Sequence, residues 1–532
     1  MDLRGFPSLS LGTAALALAS HSGIHPSIIT PFSNVVVGLL SVVFTVQAQS
    51  TDSWPQFRGP NGQGFAAHAT PPLHFGPHTN LAWQVPIAPG HSSPVVWDQS
   101  LFLTTFLTGQ LAVVAFNRQN GQTRWQWSIP AGPIGDVHSA SSPAAPTPAT
   151  DASRVFAYFG SWGLVALAHD GKETWRHPMP PPRNRYGMAT SPVLHGTNVI
   201  LVLDADDLQS CVVAFSQETG TITWQTERPG QRATWSTPAV WSPASPDAQH
   251  PEELIVLSAL RLAAYDVRNG GELWSVDGFP QETVSVPAIG RTLVFAGAAA
   301  LGGRGSETYD AMGWQQLKAF DRDGDQLVQA AEIPDDFRMV LRPDLPKDHP
   351  GYAVPFAFKR GFKSNDLDQD GALSETEWNQ SVIRWEASSR PVLMAIHPSA
   401  EESPKAERVA WKTNRGLPEM PSILLEQERD RLYFVRDGGL LTCLDSSTGR
   451  SIFQERIGAP GQYTASPVAT PGHLFLTSAT GVITVVDTRS DELRVIARND
   501  LQQPVYATPA LAGNGIYIRA SGHLLAFRQP GP

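Results

Sequence analysis

Two short acidic segments have the residue types and spacing of calcium ligands. Residues 321–332 and 366–377 each place Asp at positions 1, 3 and 5 of a twelve-residue stretch and Glu at position 12. Calcium is a hard cation that takes six to eight oxygen ligands, and the final glutamate can bind it through both carboxylate oxygens. Three carboxylates within five residues repel one another unless a cation lies between them. The spacing therefore predicts two calcium sites.

The predicted ligands are the carboxylates of positions 1, 3, 5 and 12 and the main-chain carbonyl of position 7. They are Asp321, Asp323, Asp325, Leu327 and Glu332 in the first loop, and Asp366, Asp368, Asp370, Ala372 and Glu377 in the second. This is the EF-hand pattern, and the flanking sequence favours helices over 309–320, 356–365 and 378–386. The residues at position 8, Val328 and Leu373, are expected to pair in a short strand. The alternative is that both segments are solvated acidic turns.

The two loops differ at position 6, where the chain turns sharply and glycine is preferred. The second loop has Gly371 there, whereas the first has Gln326. We therefore expect two calcium sites, of which the second is the stronger. Residues 306–389 contain 16 Asp or Glu against 9 Lys or Arg, so much of the chain's acidity lies around these loops.

A second group of residues could hold a small ligand. Basic and aromatic side chains that converge on a channel could bind a flat, anionic molecule such as a quinone cofactor. The alternative is ordinary loop decoration. No nucleophile–base pair, glycine-rich phosphate loop or zinc-ligand spacing accompanies this group, so no catalytic residue is assigned. Its members precede the repeated prolines described next: His91, His138, Arg183, Arg185, Tyr186, Arg232, Trp235, Tyr463 and Tyr506.

A repeated phrase determines the elements that must position these residues. A small or apolar residue, Pro and a further small or apolar residue recur eight times, and six of the seven intervals are 42 to 49 residues long. That period fits a blade of four short strands, so the sequence predicts an all-β, eight-bladed β-propeller. The long interval predicts an insertion within the fifth blade. The copies have their prolines at Pro94, Pro143, Pro192, Pro238, Pro287, Pro421, Pro467 and Pro509.

Glycine and tryptophan mark the end of each repeat. Gly121 precedes Trp125 by four residues, and the same spacing recurs at Gly171, Gly220 and Gly270. We interpret the glycine as a tight turn and the tryptophan as packing between blades rather than as part of a cofactor site. The last repeat contains only three strands, and residues 81–86 look like a fourth. Pairing the two ends of the chain would close the ring and remove both exposed edges.

The repeat endings at 115–125, 214–224 and 264–274 resemble the tryptophan-docking repeat of PQQ-type propellers, a superfamily that includes quinoprotein alcohol dehydrogenases and outer-membrane assembly lipoproteins. The opening Trp54-Pro-Gln-Phe-Arg-Gly-Pro-Asn-Gly62 is similar to a bacterial branch of PQQ-like repeat proteins. The resemblance implies, for a dehydrogenase, adjacent cysteines and a catalytic aspartate in the channel. Cys211 and Cys443 are not adjacent. We expect a non-catalytic binding or scaffold protein; the alternative is a PQQ-dependent oxidoreductase.

Composition and the N-terminus indicate where the protein works. The formal net charge of -10 over 532 residues argues against nucleic-acid binding. The apolar run at 35–46 is too short to cross a bilayer and suits an atypical secretory leader, so we expect an extracytoplasmic protein with protein partners in the cell envelope. The two cysteines of the chain are expected to be buried free thiols.

The expected divisions of the chain are a leader over 1–48, an extension over 49–80, blades over 81–300, an EF-hand pair inserted at 301–389, and the remaining blades over 390–528.

Overall fold

Short β-rich runs separated by tight turns form eight four-stranded antiparallel sheets. The computed structural model describes residues 52–134, 141–184, 186–207, 209–247, 249–299, 313–340, 347, 353, 357–398 and 408–529. The innermost strands of most successive sheets contact one another, and the innermost strands of the first and last sheets also meet. The chain is therefore an eight-bladed, all-β propeller, as the repeat predicted. The leader predicted at 1–48 lies outside the described residues.

The strands are bounded as follows. The chain begins with β1 (Leu81–Pro86). Blade 1 consists of β2 (Val95–Trp97), β3 (Ser100–Leu107), β4 (Gln110–Asn117) and β5 (Thr123–Pro130), and blade 2 of β6 (Ala149–Thr150), β7 (Arg154–Phe159), β8 (Gly163–Ala168) and β9 (Glu173–Pro178). Blade 3 consists of β10 (Val193–His195), β11 (Asn198–Leu203), β12 (Cys211–Ser216) and β13 (Ile222–Glu227). Blade 4 consists of β14 (Ala239–Trp241), β15 (Glu253–Ser258), β16 (Arg261–Asp266) and β17 (Glu272–Asp277).

Blade 5 consists of β18 (Ala288–Ile289), β19 (Val294–Ala298), β22 (Val392–Ile396) and β23 (Val409–Thr413), with β20 (Val328–Gln329) and β21 (Ala372–Leu373) forming a separate small sheet between them. Blades 6 and 7 consist of β24 (Leu424–Glu426), β25 (Arg431–Arg436), β26 (Leu440–Asp445), β27 (Ser451–Arg456); and β28 (Val468–Thr470), β29 (His473–Thr477), β30 (Val482–Asp487), β31 (Val495–Asp500). Blade 8 consists of β32 (Ala510–Ala512), β33 (Gly515–Ala520), β34 (His523–Arg528) and β1.

The ring closes by pairing its two ends. Strand β1 lies antiparallel to β34, with Gln84 opposite Leu525 and Val85 opposite Leu524. This confirms the predicted closure, in which an N-terminal strand completes the last blade and leaves neither end of the ring unpaired. At the same seam, the buried guanidinium of Arg519 in blade 8 donates to the main-chain carbonyls of Ser92 and Thr104 beside blade 1.

Tryptophans join neighbouring blades, as the repeat predicted. The indole of Trp125 in blade 1 donates to the carbonyl of His169 and packs on Gly171 in blade 2, where an added Cβ would lie 2.8 Å from the ring. Glycine is required there both for its φ of +88° and for the close approach of the indole. The same packing joins Trp83 to Gly121, Trp175 to Gly220, Trp224 to Gly270 and Trp411 to Gly449. Trp274 differs, because its indole donates to Glu253 and Arg408 covers its ring.

A belt of hydrogen bonds links the innermost strands at their N-terminal ends. In each link the main-chain N–H of the belt residue of one blade donates to the hydroxyl of the belt residue of the next. The links run Ser93 to Thr147, Thr147 to Ser191, Ser191 to Thr237, Val286 to Ser422, Ser422 to Ser466 and Ser466 to Thr508, all at 2.9–3.0 Å. The hydroxyls that recur before the prolines therefore connect blade to blade.

The belt corrects two copies of the predicted phrase. Blade 2 was expected to begin at Ser142-Pro143-Ala144, but its belt residue is Thr147, which precedes Pro148 and β6. Blade 6 was expected to begin at Met420-Pro421-Ser422, but Ser422 itself is the belt residue and a non-proline residue follows it. In both cases the belt residue is the one whose hydroxyl lies within hydrogen-bond distance of the N–H in the preceding blade. The proline of the predicted phrase did not identify that residue.

Residues 54–70, which we call the plug, lie against the inner edges of all eight blades. Trp54 exchanges two main-chain hydrogen bonds with Val96, and both Gly64 and Ala66 bond to Ala469. The other six blades are reached by main-chain or side-chain hydrogen bonds: Pro55 to Thr150, Gln56 to Leu194, Asn61 to Val240, Gln63 to Ile289, Arg58 to Ile423 and, in the last blade, Thr70 to Gly513. The plug therefore crosses the central channel and satisfies main-chain groups that an innermost strand would leave unpaired.

The segment that carries the acidic loops lies between the second and third strands of blade 5, because β19 pairs directly with β22. The hydroxyl of Ser285 donates to the carbonyl of Gly297, which places the exit from β19 on the same face of the propeller as the belt. The first predicted helix is shorter within the described residues, the second is divided between a 3-10 turn and an α-helix, and the third extends beyond 378–386 at both ends. The observed elements are α1 (Gln315–Lys318), a 3-10 turn (Phe358–Gly361), α2 (Phe362–Asn365) and α3 (Glu375–Ser389).

We expect deletion of residues 81–86 to abolish the single cooperative unfolding transition, because the deletion leaves the edge of β34 unpaired and removes Trp83 from Gly121. Differential scanning calorimetry of the deleted and intact chains measures this. An unchanged melting transition would mean that the closure does not hold the ring.

Gln63→Ala should lower the free energy of unfolding by about 1–3 kcal/mol, because the buried N–H of Ile289 loses its acceptor. Denaturant unfolding measures the change. The control is Gln126→Ala on the exposed outer strand of blade 1, for which we expect a change within about 0.5 kcal/mol. Equal effects of the two substitutions would contradict a stabilising role for the plug.

Candidate functional site: paired acidic loops

The two acidic loops are held side by side by the small sheet between them. Val328 pairs with Leu373 and Gln329 with Ala372, so the predicted contact between the position-8 residues is present. Both of these apolar residues are fully buried. The short strand pair fixes the C-terminal half of each loop relative to the other.

Within the first loop, main-chain N–H groups donate to the carboxylates. Asp321 accepts from Gln326, Asp323 from Asp325, and Asp325 from Leu327. Glu332 accepts from Arg322 through one oxygen and from Gln329 through the other, both at 2.9 Å. Each carboxylate is thus oriented by the loop that carries it.

The second loop repeats these hydrogen bonds position for position. Asp366 accepts from Gly371, Asp368 from Asp370, and Asp370 from Ala372. Glu377 accepts from Leu367 through one oxygen and from Ser374 through the other. The two loops differ in sequence but share the same five hydrogen bonds, so they have the same local backbone geometry.

The aspartates of each loop converge. One carboxylate oxygen from each of Asp321, Asp323 and Asp325 lies within 4.8 Å of the other two, and the same holds for Asp366, Asp368 and Asp370. Asp366 is buried, and its Oδ1 has no hydrogen-bond partner among the described residues. A buried carboxylate oxygen without a donor is costly, and a cation at the centre of the loop would satisfy it.

Glu377 is held in its ionised form. Burial raises its pKa, but hydrogen bonds from Ser374, Leu367 and Asp368 outweigh the burial, so the net pKa lies below the ordinary value for glutamate. Glu377 is also the third residue of α3, and it forms a reciprocal capping box with Ser374 at the start of that helix. The predicted calcium ligand thus has a second role as a helix cap.

The loops differ in the residue at position 6, although both are left-handed there: Gln326 has a φ of +68° and Gly371 has a φ of +90°. Residues with side chains are disfavoured in this left-handed region, whereas glycine is not. The strain expected at Gln326 from the sequence is therefore present in the first loop. At position 4 the residue types are reversed, with Gly324 at a φ of +78° and Gln369 at +62°, so the second loop carries left-handed strain of its own.

Four of the described residues predicted to line the channel mouth are in contact as two pairs. Tyr186 packs edge-on against Trp235, and His91 lies 6.1 Å from Tyr506 between ring centroids. Tyr463 is buried and donates its hydroxyl to the carbonyl of Ala459. Arg183 and Arg232 are exposed. His138 and Arg185 lie outside the described residues.

Two arginines near the channel escaped the sequence analysis. Arg58 in the plug and Arg519 at the seam are both buried, and burial lowers the pKa of each to about 9. Burial and the charge of Arg519 also lower the pKa of His91. Nothing in their sequence context distinguishes these arginines from exposed ones, because their burial depends on contacts 365 and more than 400 residues away in the chain.

A buried glutamate, a tyrosine and a thiol lie close together in blade 6. Glu426 accepts from Thr488, and Tyr433 lies between Glu426 and Cys443. Burial raises the pKa of the Cys443 thiol to about 12, so the thiol stays protonated and is a poor nucleophile. Both cysteines are free thiols. Cys443 is buried as expected, whereas Cys211 is only half-buried.

The geometry defines a β-propeller with paired acidic loops inserted in its fifth blade. A profile of the family described as outer membrane protein assembly factor BamB matches residues 78–206, 110–300 and 403–528. These matches cover more than half of the chain, and the chain belongs to this family.

A curated relative, outer membrane protein assembly factor BamB of Burkholderia pseudomallei (strain K96243), is 28% identical over 225 residues, which are 41% of this chain. The chain matches only 54% of the length of that protein.

Solved structures with related folds include the computationally designed Ika8 protein, with 10% identity, coverage of 84% of this chain and 99% of that chain, and a TM-score of 0.50. BamB from Moraxella catarrhalis is 11% identical to this chain, the match covers 84% of this chain and 98% of that one, and the TM-score is 0.46. A europium-containing methanol dehydrogenase is 11% identical, the match covers 90% of this chain and 99% of that one, and the TM-score is 0.48. At such low identity, the likeness to Ika8 concerns the fold alone. Among the described residues, none of the helices has the length and apolar character that crossing a membrane requires.

The buried carboxyl of Glu426 gives a pH-dependent prediction. Burial raises its pKa, although Thr488, Arg429 and Tyr433 oppose the shift. The folded state therefore favours the protonated acid, and its contribution to stability is lost as the pH rises from the ordinary glutamate pKa through the raised one. We expect Glu426→Gln to raise the melting temperature more at pH 7 than at pH 4. The control is the exposed Glu455→Gln, and a Glu426→Gln effect that does not vary with pH would contradict the assignment.

Proposed function

We propose that this protein is an exported, non-catalytic scaffold of the cell envelope that binds two calcium ions through an EF-hand pair. The observation that carries the calcium assignment is the same set of five N–H-to-carboxylate bonds in both loops, together with the buried, unpartnered Oδ1 of Asp366. In this proposal the divisions of the chain are those expected from the sequence, with the pair inserted at 301–389.

The loop carboxylates are oriented by main-chain donors and their aspartates converge, which supports a cation between them. The first ion would be held by Asp321, Asp323, Asp325, Glu332 and the carbonyl of Leu327, and the second by Asp366, Asp368, Asp370, Glu377 and the carbonyl of Ala372. Oxygen ligands in this number suit calcium better than the softer transition metals. The second site would be the stronger, because Gly371 meets the glycine requirement at the sharp turn of position 6, whereas the left-handed strain of the second loop falls on Gln369 at position 4.

Membership of the BamB family supports the scaffold role. Relatives carry the description of outer membrane protein assembly factor, and we infer that this chain likewise acts on protein partners outside the cytoplasm. An N-terminal leader over 1–48 would direct it there. The absence of adjacent cysteines favours this role over the alternative of a PQQ-dependent oxidoreductase, because Cys211 and Cys443 lie in different blades.

Calcium titration of the full chain by isothermal calorimetry tests the metal assignment. We expect two binding events, and we expect Glu377→Gln and Glu332→Gln each to remove one, because each deletes a bidentate ligand. The matched control is Glu375→Gln, which changes an exposed acid two residues from Glu377. Heats indistinguishable from buffer, or equal losses in the control, would defeat the calcium proposal.

Gln326→Gly should strengthen the first site. Relief of the left-handed backbone strain, which costs about 1 kcal/mol, corresponds to about a fivefold lower Kd. The measurement is made in the Glu377→Gln background, where only the first loop binds. An unchanged or higher Kd would show that position 6 does not limit the first site.

The scaffold assignment is tested separately by adding PQQ to the full chain and following absorbance and dye-linked alcohol oxidation. We expect no stoichiometric uptake and no turnover. Tight uptake with turnover would replace the scaffold proposal by the oxidoreductase alternative and would leave the calcium proposal unaffected.

A further inference from the structure

The first acidic loop is not followed by a helix. Residues 333–340, which we call the lock segment, contain turns and an isolated bridge but no helical residue. The EF-hand pattern has helices on both sides of each loop, but the sequence predicted none after the first loop, and the structure shows none over 333–340. The lock segment begins Ile333-Pro334 and is described continuously to Val340.

The lock segment lies inside the apolar core of the inserted module. Ile333 and Met339 are fully buried within a cluster that also contains residues from both loops and from the helices. Phe337 stands edge-on to Phe320 at 4.7 Å between ring centroids and lies 6.0 Å from Phe358. The chain's own side chains therefore fill the space between the elements that flank the two loops.

Main-chain hydrogen bonds hold the lock segment at both sides. Gln316 of α1 donates through Nε2 to the carbonyl of Val340 and accepts through Oε1 from the N–H of Val340, at 3.1 and 2.9 Å. The N–H of Phe358 donates to the carbonyl of Phe337 at 2.8 Å. The segment is thus tied to the entry side of each loop by bonds that opening would break.

Calcium sensors of the EF-hand type respond to the ion by opening a helix pair and exposing an apolar groove. Here the corresponding space is filled by residues 333–340, and the helix that would swing away from the first loop is absent from the described residues. We propose that calcium locks this module in a closed state and exposes no target-binding groove. This inference rests on the proposed calcium function.

Calcium is then a structural ion that orders the module, and the module does not recognise partners through an exposed EF-hand groove.

The experiment compares the full chain in calcium and in chelator by two readouts. Hydrogen exchange with mass spectrometry reports protection of residues 315–320, 333–340 and 358–378, and the fluorescence of an added hydrophobic dye reports apolar exposure. The Glu332→Gln/Glu377→Gln double variant retains the module but should not bind calcium, so it provides the calcium-independent signal of the full chain.

We expect calcium to slow amide exchange in all three segments and to leave dye fluorescence unchanged or lower. A calcium-dependent rise in dye fluorescence in the intact chain, absent from the double variant, would overturn the closed-lock proposal while leaving calcium binding in place. Absence of calcium binding in calorimetry is a different failure, because it removes the proposed function itself.

The contact between Gln316 and Val340 is tested by Gln316→Ala. At saturating calcium we expect at least tenfold faster exchange at the amide of Val340 and its neighbours, since the substitution removes both bonds to that residue. The matched control is Gln315→Ala, which removes an exposed glutamine from the same helix and should leave exchange unchanged. Unchanged exchange in Gln316→Ala would show that the segment is not locked by this contact.

Discussion

The main-chain edges of the eight innermost strands are the constraint on which this structure depends. In a propeller these edges face the central channel, and a buried N–H or C=O without a partner costs more than an ordinary hydrogen bond contributes. Two devices satisfy them. Hydroxyls such as those of Thr147 and Ser466 accept from the preceding blade, and the plug bonds to a residue in or beside every innermost strand. The belt is interrupted at Val286, which has no hydroxyl, and there the hydroxyl of Ser236 reaches the carbonyl of Ser285 instead.

This arrangement divides the molecule into a rigid ring and one specialised insertion. Tryptophan–glycine packing joins the blades at their outer sides, the belt and plug join them at the channel, and Arg519 and β1 close the seam. The acidic segment leaves blade 5 on the belt face and has an apolar core of its own. The converging carboxylates belong to two loops of this segment, and no residue of the ring is among them.

Features with a local period were predictable from the sequence, and features that depend on distant contacts were not. The glycine–tryptophan spacing and the recurrent prolines predicted the number of blades, and the carboxylate spacing identified both loops. The belt could have been recognised from the Ser or Thr that precedes six of the eight repeated prolines. Thr147 and Ser422 show that the position of the hydroxyl relative to the neighbouring blade decides which one is used. The plug occurs once, so it has no period, and the burial of Arg58 depends on Ile423, which lies 365 residues away. The path of the lock segment was not predicted, because it depends on the packing of Phe337 against Phe320 and Phe358 and has no local period.

Residue-resolved hydrogen exchange of the native chain tests most directly whether the belt and plug hold the ring together. The belt amides of Ser93, Ser191 and Ser466 and the plug-bonded amides of Val240 and Ile289 should exchange only through global unfolding, with protection equal to the whole free energy of unfolding. Exchange of these amides at the rates of the exposed outer strands would show that the channel edges open independently and that the belt and plug do not hold the ring together.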